Sequence, residues 1–229
     1  MKTLGLIGGM SWQNTIDYYR KINQMVNGKL GGWSSAKILL YSVNFAPILQ
    51  LENAGYWEEL GDYLAKIAKN LEKGGAQALM ICSNTMHKVA EEIEHNVDVP
   101  LIHVVDATAK TILTKKIRTV ALLGTQFTME QDFYVNRLEK LGMDVYIPPK
   151  KEREYVHNAI YNELSQGHVR TETKRKFIEI IEKLVNKGSK GLVMGCTEIP
   201  LIIKSGDVSV PIFDTMEIHL KAALRWALS

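Results

Sequence analysis

The chain has 229 residues, 46% of them apolar and 23% charged, and carries a formal net charge of +3. That length supports one large domain or two small ones. Lys and Arg alternate with Asp and Glu along the helix-period stretches, which argues for solvated faces against a nucleic-acid patch, and no apolar run reaches the roughly 18 residues that span a membrane.

The opening MKTLGLIGGMSW has one Lys and a short apolar run but no small-residue cleavage site, so it reads as a first strand and not as a signal peptide. KTLGLIG, AKILLYSVNF, AQALMIC, PLIHVV, RTVALLG, MDVYIP, KGLVMG and VPIFD follow one another as strand-like runs. They alternate little, as expected of parallel strands covered on both faces. Helix-period segments separate them. Trp57, Leu60, Leu64, Ile67, Ala68 and Leu71 share one helical face and stop at Gly74. Asn84 and Thr85 are N-cap candidates for Met86–His95, and Thr128 with Gln131 matches a capping box. Phe177, Ile178, Ile181, Leu184 and Val185 form a second helical face before Gly188. Alternating strands and helices predict an α/β fold with mainly parallel sheets.

The chain also aligns with itself. GAQALMICSNT from Gly75 matches GSKGLVMGCTE from Gly188 without a gap, LGLIGG (4–9) matches VALLGT (120–125), and Val99-Pro100-Leu101-Ile102 matches Val210-Pro211-Ile212-Phe213. Three matches in one order predict two similar domains, 1–113 with 215–229 and 114–214, each with a sheet of about four strands. The pairing sets Ser83, not Cys82, opposite Cys196. Neighbours on a strand face opposite ways, so Cys82 is expected to be a small buried hydrophobe. Two distant cysteines offer neither a disulfide framework nor metal-ligand spacing. Free thiols of this kind suit a reducing cytoplasm.

Ligands of open α/β sheets bind beyond the carboxyl ends of the strands, and Gly8-Gly9-Met10, Ser83-Asn84-Thr85, Gly124-Thr125 and Cys196-Thr197-Glu198 all fall there. Helix N-termini starting after these residues would offer N–H groups to a small anion. A dinucleotide site fits poorly: Gly5, Gly8 and Gly9 do not make G-x-G-x-x-G, and the second strand ends in Val43-Asn44-Phe45 without a ribose-binding acid.

LGLIGGMSW, SNTMH and GCTEIP together resemble the aspartate/glutamate racemase family, and the resemblance runs the length of the chain. It implies two similar α/β domains with the active site in the cleft between them, cofactor-independent epimerisation of an amino acid, no metal, and a homodimer. It implies that Cys196 is one acid/base, that Asn84, Thr85 and Thr197 bind the substrate α-carboxylate with Glu198 beside it, and that Met10, Glu52 and Glu163 line the same pocket. The family's first catalytic cysteine is Ser83 here, as in a subgroup with a hydroxyl residue at that place. A thiol titrates near 8.5 and a hydroxyl close to water, about 15.7, a gap of roughly 10 kcal/mol at 1.36 per unit. The expectation is therefore an asymmetric enzyme, with Cys196 thiolate as base, Ser83 returning a proton directly or through water, and L to D as the faster direction. The resemblance implies an acidic or broad-range amino acid as substrate, but no Arg lies near Ile48–Glu52, where some aspartate-specific relatives bind a side-chain carboxylate, which counts against an acidic preference. Glu52 would accept the ammonium group or else be a solvated surface residue. His87 and His219 are structural or tune the site. The rivals are a single-cysteine decarboxylase or isomerase on the same fold, and a small-molecule-binding protein without catalysis.

Overall fold

A computed structural model describes residues 1–229. The chain forms two compact units, Met1–His103 with His219–Ser229 and Val104–Ile218. The first boundary falls before the 113/114 division expected from sequence, so the helix at Val104–Thr114 groups with the second unit.

The first unit runs β1 (Leu4–Gly8), α1 (Trp12–Leu30), β2 (Ile38–Ser42), α2 (Phe45–Ala54), α3 (Trp57–Lys73), β3 (Ala78–Ile81), a 3-10 turn (Thr85–Val89) and α4 (Ala90–His95). The second runs α5 (Val104–Thr114), β4 (Thr119–Gly124), α6 (Gln126–Glu130), α7 (Asp132–Lys140), β5 (Asp144–Tyr146), α8 (Lys150–Asn162), a 3-10 turn (Leu164–Gln166), α9 (Thr171–Asn186), β6 (Leu192–Gly195), α10 (Ile199–Ile202) and β7 (Ile212–Asp214). The last helix, α11 (Thr215–Ala227), begins in the second unit and belongs to the first from His219 onward. Both sheets are parallel, in the orders β2-β1-β3 and β5-β4-β6-β7.

The internal repeat is exact in register. Ile7 pairs with Ile81 in the first sheet, and their counterparts Leu123 and Met194 pair in the second. Leu101 bridges Leu79 as Ile212 pairs with Leu192. The Leu79 N–H donates to Pro100 O and the Leu192 N–H to Pro211 O, each at 2.9 Å. Here the expected strand PLIHVV is corrected: it contributes only the Leu101 bridge, and the first sheet has three strands where about four were expected. The Ile102 carbonyl is taken by His219 Nε2 at 2.5 Å, and α5 starts two residues later, so the ladder cannot extend.

β1, β3 and β6 are buried throughout, as their apolar runs require, whereas β2 is an edge strand with Leu40 and Tyr41 exposed. The face of α3 carrying Leu60, Leu64, Ile67, Ala68 and Leu71 closes the first core over Ile7, Leu79 and Ile81. Phe177, Ile181 and Leu184 of α9 do the same for the second core over Ala121, Leu192 and Met194. In the second unit Arg137 of α7 grips Asp106 of α5 with both arms, Nε–Oδ1 at 2.6 Å and Nη2–Oδ2 at 2.8 Å.

Candidate active site

β1 ends in Gly8-Gly9, and the structure explains both glycines. A Cβ on Gly8 would meet Thr15 Cγ2 at 2.5 Å. Gly9 has φ 94° and lies against the Val43 backbone, its would-be Cβ 2.5 Å from Val43 N. The pair therefore permits a close chain approach that any side chain would block. The Gly9 N–H donates to Thr15 Oγ1 at 2.7 Å, and Ser11 caps α1 by accepting from the Asn14 N–H at 3.4 Å. Met10 is buried and packs within the first unit's core.

At the end of β3, Cys82 is fully buried and its N–H still donates to Ile7 O at 2.9 Å. Burial pushes its thiol far above the ordinary range, which makes it a core residue with no accessible thiolate. Ser83 is half-buried, and its Oγ accepts from the Met86 N–H at 3.4 Å. This corrects the expected cap: Ser83, not Asn84 or Thr85, receives the first N–H, because Asn84 already has helical backbone angles and an N-cap needs extended ones. The element that follows is a 3-10 turn before the short α4. Asn84 and Thr85 are both buried beside it.

At the end of β6, Cys196 is 7% exposed and its thiol donates to Glu198 Oε2 at 2.9 Å. The Thr197 hydroxyl donates to the same oxygen at 2.7 Å. Burial, reinforced by the Glu198 charge, pushes the Cys196 thiol well above its usual pKa. The thiol proton points at the Glu198 carboxylate in this geometry. The Thr128–Gln131 capping box is also corrected: Thr125 caps α6, its Oγ1 accepting from the Thr128 N–H at 3.3 Å, and Gln131 makes no side-chain cap.

Two of the expected glutamates differ sharply. Glu52 lies on α2 with 2% exposure, burial raises its pKa to about 7, and its Oε1 has no partner. The solvated-surface alternative for Glu52 is thus overturned. Glu163 ends α8 within the second unit, where Thr173 Oγ1 donates to it at 2.6 Å and Arg170 Nη1 stands 3.8 Å away. No group of three or more His, Cys, Asp or Glu is arranged to hold a metal.

Two buried residues, Asn14 and His103, and the half-buried His157 were not singled out in the sequence. Asn14 Nδ2 donates to Cys82 O at 2.7 Å. His103 stacks edge-on with His87 at 4.6 Å between centroids. His157 Nδ1 accepts from the Gln126 N–H at 3.1 Å, and burial lowers its pKa. The signal for Asn14 was its place in the first turn after a Ser N-cap; its partner lies 68 residues away, beyond the reach of local pattern.

A thiol paired to a carboxylate follows β6, and a hydroxyl stands at the register-equivalent end of β3 in a duplicated α/β chain. Comparison with known proteins gives the family. The family model described as Asp/Glu/Hydantoin racemase matches residues 7–223. The chain is 48% identical to a candidate Asp/Glu racemase from Yersinia pestis, with a TM-score of 0.96 and full coverage of both chains. It is 36% identical to an aspartate racemase homologue from Pyrococcus horikoshii OT3, with a TM-score of 0.88 and full coverage of both. It is 30% identical over 167 residues to the glutamate racemase of Koribacter versatilis, an alignment that takes in 68% of this chain and 54% of that enzyme. The chain spans little more than half the length of that curated relative. It belongs to the Asp/Glu/hydantoin racemase family.

Proposed function

We propose that the protein is a cofactor-independent amino-acid racemase acting on an acidic or broad range of amino acids, with Cys196 and Ser83 addressing opposite faces of the substrate Cα. The observation that carries this reading is the Cys196 S–H directed at Glu198 Oε2 at 2.9 Å. That contact supplies what a buried thiol needs in order to become a base. The thiol proton passes to the Glu198 carboxylate, the thiolate takes the Cα proton, and the electron pair left on Cα is protonated from the other side by the Ser83 hydroxyl; the Ser83 alkoxide then regains a proton from water and Glu198 releases its proton to solvent. Ser83 Oγ accepts only from the Met86 N–H, so its own O–H is available to donate. A carbanion is a far stronger base than an alkoxide, so this donation runs downhill. Abstraction by Ser83 runs steeply uphill, because its hydroxyl titrates near 15.7, like water. Two enantiomers have equal free energy, so kcat/KM is equal in the two directions, and the asymmetry of the two groups falls on the separate kcat and KM values, with the larger kcat for L by this assignment. Asn84, Thr85 and Thr197 bind the α-carboxylate, and the buried, unpaired carboxyl of Glu52 receives the ammonium group.

A second reading is favoured by one observation. A buried cysteine whose S–H bonds a carboxylate at 2.9 Å is also suited to protonating a carbanion left by decarboxylation.

Proton NMR in D2O separates the two. Loss of the α-proton signal from one enantiomer of an amino acid, abolished in Cys196→Ala, is expected for the racemase. Carbon dioxide release from a disubstituted malonate without α-proton loss from any amino acid would instead support the second reading.

A further inference from the structure

Two consecutive carbonyls leave the first sheet at the end of β3. The Cys82 N–H is still in the ladder, but the carbonyls of Cys82 and Ser83 lie beyond the last paired residue. Each is nevertheless held by a buried side chain. Asn14 Nδ2 donates to Cys82 O at 2.7 Å, and His87 Nδ1 lies 2.7 Å from Ser83 O. A carbonyl can only accept, so Asn14 must turn its NH2 inward and His87 must carry a proton on Nδ1. The donors come from different elements, the first turn of α1 and the 3-10 turn.

Both donors are themselves supported. Asn14 sits between the Ser11 cap and Thr15, whose Oγ1 holds the Gly9 N–H. His87 packs edge-on against His103 at 4.6 Å and against His219 at 5.7 Å. His219 is in turn bound by Tyr18 OH at 3.0 Å and Ile102 O at 2.5 Å. Asn14, His87, His103 and His219 are all 6% exposed or less. At the equivalent strand end in the second unit, Cys196 O accepts from the Ile199 N–H in the following turn at 3.3 Å, and the buried Thr215 hydroxyl donates to Met194 O at 2.8 Å.

We propose that Asn14 and His87 are positioning residues that clamp the Cys82–Ser83 segment and so aim the Ser83 hydroxyl. The proposal rests on the racemase reading above. Neither residue touches the reacting atoms; each acts through a peptide carbonyl next to Ser83.

The test compares two reactions of the same enzyme. Chloride release from a β-chloro amino acid needs only abstraction at the Cys196 face: the Cα–H bond breaks, its electron pair forms the Cα–Cβ double bond, and chloride leaves. Inversion of the parent amino acid also needs the proton from Ser83. Asn14→Ala and His87→Leu are expected to lower inversion at least about tenfold while chloride release stays within about twofold, the same split expected of Ser83→Ala. His87→Asn keeps an N–H near the Nδ1 position and should restore most of the inversion. The ratio of the two rates is independent of the folded fraction, so a variant that folds poorly still reports. A proportional fall in both reactions would overturn the clamp and leave only a structural role. If the unsubstituted enzyme shows neither inversion nor chloride release, the racemase reading falls, and the clamp with it.

Discussion

Glu52 is a buried carboxyl whose neutral form the fold favours. Burial raises its pKa to about 7 from an ordinary value of about 4.3, and at 1.36 kcal/mol per unit the shift amounts to up to about 4 kcal/mol. The sign follows from proton binding. Between these two values the folded state keeps its proton while the unfolded state loses one, so stability is full below about pH 4.3 and falls as pH rises through 7. Glu52→Gln has no proton to lose. Urea midpoints measured from pH 4.5 to 8 are expected to lose this downward slope in the variant, and a slope equal to that of the unsubstituted protein would show that Glu52 is ionised in the fold. The same property suits the proposed role, because a bound ammonium group would draw the proton off the carboxyl. Cys196 shows the complementary lesson. Its place at a strand end was readable from the repeat, but its contact with Glu198 Oε2 at 2.9 Å and the upward push of burial on its pKa were not.

At the scale of elements, the repeat explains why the two strand ends differ in chemistry. Cys82 and Gly195 occupy equivalent places, one residue past Ile81 and Met194. The first unit has room there for a buried side chain, and the second does not. A Cβ on Gly195 would lie 3.0 Å from both Leu122 Cδ1 and Thr128 Cγ2, and 3.2 Å from Leu123 O. Gly195→Ala is therefore expected to cost about 1–3 kcal/mol by overpacking, read as a lower urea midpoint, and to displace Cys196 beside it. An unchanged midpoint would mean that α6, which carries Thr128, yields without strain. The short helices were the hardest elements to read. Thr125 and Ser83 cap where Thr128 and Asn84 were expected, because several hydroxyl and amide residues crowd each turn and any one of them satisfies the pattern. Only the backbone angles decide among them.

At the scale of the molecule, the first unit is discontinuous in sequence and the second is one continuous segment. The last residues close the first unit. The Lys2 N–H donates to Ala227 O at 2.9 Å, and His219 binds both Tyr18 and Ile102. Ending the chain after Ile218 should expose the amides of β1 and β3 to hydrogen exchange while those of β4 and β6 stay protected; equal protection in both would show that the C-terminal segment is dispensable. The seven strands, their parallel pairing and the register of the duplication were legible in the sequence, because apolar runs and repeated spacing are properties of neighbouring residues. Tertiary structure alone decided that PLIHVV yields a single bridge, that Glu52 is buried, and that Asn14 reaches Cys82. Each of those outcomes depends on which distant groups compete for one carbonyl or exclude water from one carboxyl, and no local pattern encodes that competition.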